Sequence, residues 1–250
     1  MTDVLGWRKL FGVVTPSTNT VVQPEYDGMR PSGVTNHIAR MHIPDDPIGG
    51  DADFDLLIER IDRALEEAVD RVVTCRPDHI ILGISAESIW GGGLEAARAI
   101  ETRIAARSDG CASTQAAMAL PAALDAYGAG RNIAILTPYQ PVAERHLQTF
   151  AAEIGRDLVR TRHLACTSPT DIARTRPETL RRALRALDGP DVDAIIQFGA
   201  NLPMGRIAAE AENWLEKPVI AVNVATYWHA LRTNGIGDRV DGWGRLLSAH

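Results

Sequence analysis

The 250-residue chain reads as an α/β protein built from a duplicated unit, two lobes packed face to face, each a parallel sheet covered by helices. Three observations predict this. Short apolar, β-rich runs alternate with longer helical patterns, the order that produces parallel sheets. Runs such as "HIILGI" at 79–84 are apolar without interruption, as strands buried on both faces require. The order of elements also repeats: "FGVVTPSTN" at 11–19 matches "IAILTPYQP" at 133–141, and "HIILGISAE" at 79–87 matches "AIIQFGANL" at 194–202. Thr15 and Thr137 are taken as equivalent, and so are the strand-end alanines Ala86 and Ala200.

In order along the chain, "LFGVV" at 10–14 is the first strand and "VTNHIARMHI" at 34–43 an extended segment. Apolar residues three and four apart make 54–73 an amphipathic helix. Strand 79–84 follows, then helices 94–107 and 116–128, the second stopped by Gly128. The second series begins with strand 132–136 and continues as helix 141–155, strand 158–164, helix 177–187 and strand 193–199. Helix 204–217, strand 218–222 and helix 223–235 complete it. The lobes are expected at 1–114 plus 224–250 and at 115–223, with no Pro/Gly/Ser-rich linker between them.

Charge and composition exclude several partners. A net charge of −6 with no long basic run argues against nucleic acid. No apolar stretch approaches the ~20 residues of a membrane span. The N-terminal stretch has no signal-peptide h-region, so the cytoplasm is the expected location. Cys75, Cys111 and Cys166 form no CxxC or Cys/His ligand spacing and read as reduced structural thiols. The seven histidines show no metal-ligand spacing, and "WGGGL" at 90–94 lacks the Lys-Ser/Thr of a phosphate loop.

Ligands of parallel sheets bind beyond the carboxyl ends of the strands, where both Thr-Pro steps fall. Thr before Pro suits a helix N-cap followed by proline at the first helical position. The N–H groups of such a helix start favour an anion, and Ser17, Asn19 and Tyr139 add neutral donors. The cluster is therefore expected to hold a carboxylate; the alternative is that it only caps a helix.

"PSTNTVVQPE" at 16–25, "LTPYQPV" at 136–142, "YWHALRTNG" at 227–235 and "GWGRLL" at 242–247 together resemble the aspartate/glutamate racemase superfamily. The branch they resemble is that of maleate cis-trans isomerase and arylmalonate decarboxylase, nearly end to end. The resemblance implies two pseudo-symmetric Rossmann-like lobes, each with a four-stranded parallel sheet, and an active site in the cleft between them. It implies chemistry next to a carboxylate of a small organic acid, no metal, no organic cofactor and a homo-oligomer. It assigns substrate contacts to Asn19 and Tyr139. The departure is equally specific: the two catalytic cysteine positions fall on Ala86 and Ala200. Alanine can neither add to an alkene nor exchange a proton.

Other residues must then carry the chemistry. Glu87, desolvated beside a substrate anion, suits a general acid or base, or is a helix-terminal glutamate held by backbone N–H groups. Ser85 is a nucleophile only with a partnered base. Asn201 could hold an oxyanion or serve as a turn residue before Pro203. Ser88, with Ala86 and Ala200, completes the expected wall. The function read here is cofactor-independent decarboxylase, hydrolase or lyase-type chemistry on a small carboxylate or dicarboxylate. The alternatives are an isomerase or racemase whose nucleophile lies elsewhere, and a non-catalytic carboxylate-binding paralogue.

Overall fold

The computed structural model describes residues 3–86 and 93–250. The first half runs β1 (Lys9–Pro16), α1 (Val22–Met29), β2 (Val34–Met41), α2 (Asp51–Val72), β3 (His79–Leu82), α3 (Gly93–Arg107), β4 (Ser113–Thr114) and α4 (Ala116–Ala126). The second runs β5 (Asn132–Thr137), α5 (Glu144–Glu153), β6 (Asp157–His163), α6 (Pro169–Ala173), α7 (Pro177–Leu187), β7 (Ala194–Gln197), α8 (Gly205–Leu215) and β8 (Val219–Ala221). Helices α9 (Val222–Thr233) and α10 (Arg245–Ala249) end the chain.

The duplication is visible in the topology. One four-stranded sheet has the order β2-β1-β3-β4 and the other β6-β5-β7-β8, and every pairing is parallel. The strands β3 and β7 are buried at every residue, as their uninterrupted apolar sequences require. Strand β6 alternates exposed and half-buried residues, the pattern of an edge.

Helix α9 follows β8 without a loop and packs against α1, α4, β3 and β4, so the end of the chain returns to the first sheet. The segment before α10 then clasps α1 to α8. Trp243 donates its indole N–H to the Gly28 carbonyl at 3.0 Å, and the Arg206 guanidinium lies 3.9 Å from its ring centre. Glycine is required on both sides of that ring: a Cβ at Gly28 or Gly205 would stand 2.6 or 2.7 Å from its carbons.

Two local expectations need correction. Neither Thr15 nor Thr137 caps a helix; each lies in a strand, and α1 begins only at Val22. The Thr15 hydroxyl is consumed across the sheet, donating to the Gly83 carbonyl at 2.8 Å. The pairing of Ala86 with Ala200 is also off by one. Leu82 lies opposite Val14 and Gln197 opposite Leu136, so the counterpart of Ala200 is Ser85 and that of Ala86 is Asn201. The repeated bonds Gly83 N–H to Val14 O and Phe198 N–H to Leu136 O fix the same register.

Candidate active site

The carboxyl ends of β1, β3, β5 and β7 converge on one cavity of about 480 Å³, counting its open mouth, between the two halves. Asn19, Thr18 and Ala86 line it from the first half, and Tyr139, Gly199, Ala200 and Asn201 from the second. The remaining wall is apolar: Ile43, Phe54, Leu57, Ile58, Ile61 and Ile84, faced by Pro169 and Ile172. Among the described lining residues none carries a charge.

Asn19 is oriented by its own backbone. Its Oδ1 accepts the N–H groups of Val21 and Val22, both at 2.9 Å, and so caps α1 in place of the threonine. Two N–H donors on Oδ1 fix the flip of the amide, whose residue lines the cavity. Asn19 thus caps the helix and lines the cavity at once, so the two alternatives read from sequence are compatible. Ser17 does not line the cavity; its hydroxyl donates to the Ile43 carbonyl at 3.1 Å and accepts the Ile43 N–H at 3.0 Å.

Tyr139 is buried, with its ring edge-on to Phe54 at 5.0 Å. Its hydroxyl meets Ser85 Oγ at 3.2 Å, and Ser85 Oγ also accepts the Ala200 N–H at 3.1 Å. Ser85 is fully buried and forms a strut between the halves, and no described histidine hydrogen-bonds to it. Asn201 is a second strut. Its Oδ1 accepts the Thr20 N–H at 3.0 Å, and its Nδ2 donates to Pro169 O at 2.8 Å and Thr18 O at 3.4 Å. With the side-chain donors spent, Asn201 has one further polar hydrogen, its backbone N–H, which no described residue accepts.

None of the three cysteines lines the cavity. Cys75 ends the 3-10 turn before β3, at the opposite end of the strand from Ala86. Cys111 precedes β4, and Cys166 is buried with its Sγ 3.8 Å from Thr175 Oγ1. Burial pushes the Cys166 thiol up, away from the thiolate. Glu87 and Ser88 lie outside the described residues.

Sequence reading assigned no role to Glu25 or Asn223, which bond to each other next to Ala200. Glu25 is buried, accepting the Gly205 N–H on Oε1 at 2.9 Å and Asn223 Nδ2 on Oε2 at 2.7 Å. Asn223 Nδ2 donates as well to the Ala200 carbonyl at 2.9 Å. Burial pushes the Glu25 carboxyl up to about 7, against the pull of these donors toward the anion. Glu25 was visible only as part of a motif. Asn223, 198 positions away, carried no signal.

A family model described as arylmalonate decarboxylase matches residues 53–247. A maleate isomerase from Nocardia farcinica is 28% identical over 252 residues, spanning 97% of this chain and 96% of that protein. Among solved structures, the maleate isomerase Iso from Pseudomonas putida S16 superposes with a TM-score of 0.83 at 22% identity, covering 96% of this chain and 98% of that one. A crystal structure of arylmalonate decarboxylase gives a TM-score of 0.71 at 22% identity, covering 95% and 98%. Both share the fold described above.

Proposed function

This chain belongs to the arylmalonate decarboxylase family, and on that premise we propose that it decarboxylates a small malonate-type acid bearing an apolar substituent, without a cysteine nucleophile. The observation that carries this reading is the cavity's lining, which combines residues with neutral donors (Asn19, Tyr139 and Asn201) with an apolar wall of Ile43, Phe54, Leu57, Ile84 and Ile172 and, among the described residues, no charge.

One carboxylate binds the donors. The second, held against the apolar wall, loses its hydration, and the bond from it to the α-carbon breaks to release CO2. The electron pair moves onto the retained carboxylate as an enediolate, where the donors meet the developing charge. Glu87, next in the chain after the cavity-lining Ala86, delivers the proton to the α-carbon and recovers one from solvent. Isomerisation of maleate by thiol addition has no thiol in the cavity to begin it.

The test is product analysis by NMR on phenylmalonate, methylmalonate and maleate. Phenylmalonate should give phenylacetate and CO2, maleate should stay unchanged, and iodoacetamide should leave the rate intact. Glu87→Gln should lower turnover by about a hundredfold or more while phenylacetate still binds. Conversion of maleate to fumarate, or inactivation by iodoacetamide that substrate prevents, would overturn the reading.

A further inference from the structure

We propose that Glu25 and Asn223 form a positioning relay that aims the Asn201 N–H into the cavity, and that the relay holds when Glu25 is ionised. The inference rests on the carboxylate-binding reading above and adds to it a buried group that touches no ligand.

The geometry is a chain of three contacts. The Gly205 N–H, at the start of the eleven-residue helix α8, donates to Glu25 Oε1 at 2.9 Å. Asn223 Nδ2 uses one hydrogen on Glu25 Oε2, at 2.7 Å, and the other on the Ala200 carbonyl, at 2.9 Å. Asn223 lies on α9 and does not line the cavity, so the Ala200 carbonyl is drawn away from it. The described peptide bonds are all trans, so the N–H of Asn201 is opposed to that carbonyl and faces back toward the cavity. The other side of Ala200 is fixed too, its own N–H bonded to Ser85 Oγ at 3.1 Å. The peptide that presents the Asn201 donor is therefore held by one pair of side chains, Asn223 and, behind it, Glu25.

Ionisation matters because every hydrogen-bond partner of Glu25 named here is a donor. A carboxylate accepts on both oxygens, whereas a carboxylic acid carries a hydrogen on one of them and must lose or weaken one contact. The charges facing Glu25 are few. Arg206 on α8 favours the anion, while Tyr26 on α1 stays neutral, its hydroxyl driven far up by burial and by Glu25 itself. Tyr227 on α9 stacks on Tyr26 with ring centres 4.8 Å apart and is likewise neutral. The relay is set to loosen as pH falls through the titration of Glu25, near 7.

The experiment follows the Ala200 and Asn201 amides of the full-length protein by ¹H–¹⁵N NMR from pH 5.5 to 8.5. It also measures phenylacetate affinity at pH 6 and pH 8, a probe whose carboxyl stays ionised throughout. In the wild-type protein the two amides should titrate together near pH 7, and affinity should drop by about tenfold from pH 8 to pH 6. Glu25→Gln, which places a donor where an acceptor is needed, should bind weakly at both pH values. Asn223→Ala should uncouple the amides while Glu25 still titrates, a result that a through-space field would not give. The wild-type titration alone decides the matter if either variant fails to fold. Static amides, a flat affinity or the reverse slope would overturn the relay. Phenylacetate binding with static amides would spare the carboxylate reading and sink the relay; titrating amides with no binding would do the opposite.

Discussion

Asn19 joins a structural role to a proposed binding role through separate atoms. Its Oδ1 satisfies the N–H groups of Val21 and Val22, and under the proposed function its Nδ2 meets the ligand. The two roles are separable by substitution. Asn19→Asp keeps a capping oxygen, and the charge suits a helix N-terminus, so melting should change little. It replaces the donor by an anion, and phenylacetate affinity should fall by more than about tenfold. Asn19→Ala should lose binding as well as about 1 kcal/mol of stability. Calorimetry beside thermal melts checks both, and an Asp variant that binds normally would place the ligand elsewhere. Sequence pointed to Asn19 and Ser17 alike, because both are short polar residues beyond a strand. Only the turn geometry separates them: Ser17 is spent on both backbone groups of Ile43, a contact between loops that spacing does not encode.

Between elements, the loop after β2 and the start of α6 are tied together beside the cavity. Asp45 accepts the Thr170 N–H at 2.9 Å and its hydroxyl at 2.5 Å, and the Ile48 N–H donates to Thr167 O at 2.7 Å. Ile43 on one side and Pro169 and Ile172 on the other line the cavity directly beneath. Loosening this tie should ease passage of a ligand, so Asp45→Ala should speed both association and dissociation of phenylacetate several-fold in stopped-flow traces. Unchanged rates would mean that entry lies elsewhere. The existence and order of the helices were legible in the sequence, but not which of them wall the site. The stripe Phe54, Leu57, Ile58, Ile61 on α2 has the spacing of any core-facing helix. Its partly open residues, Leu57 and Ile58, face a cavity because the second half stands back from them. The Thr-Pro steps misled for a related reason. A threonine before proline fits a cap, but here the Gly83 carbonyl, just past β3, takes the Thr15 hydroxyl first.

Over the whole molecule, the duplication was legible because both halves bury equivalent strands in the same order, and burial on both faces is written in composition. The struts joining the halves were not, since Ser85, Asn201 and Asn223 find partners more than a hundred positions away or across a lobe. The assembled fold also buries two titratable groups whose pH effects oppose each other. Burial pushes Glu25 up to about 7, so its contribution to stability is full below about 4.5 and is lost as pH rises through 7. Burial pulls His79, bonded to Thr114 Oγ1 at 2.8 Å, down to about 4. Its contribution is full above about 6.5 and is lost as pH falls toward 4. Each shift corresponds to about 3 kcal/mol, and between pH 4.5 and 6.5 the slopes cancel. Removing one group should expose the other. Glu25→Gln should gain stability steadily from pH 4.5 to 6.5 and then level off, whereas His79→Gln should lose it from pH 4.5 to 7. Urea midpoints across that range, compared with a flatter wild-type curve, measure the difference. Parallel curves for all three proteins would mean that neither group is held away from its ordinary ionisation by the fold.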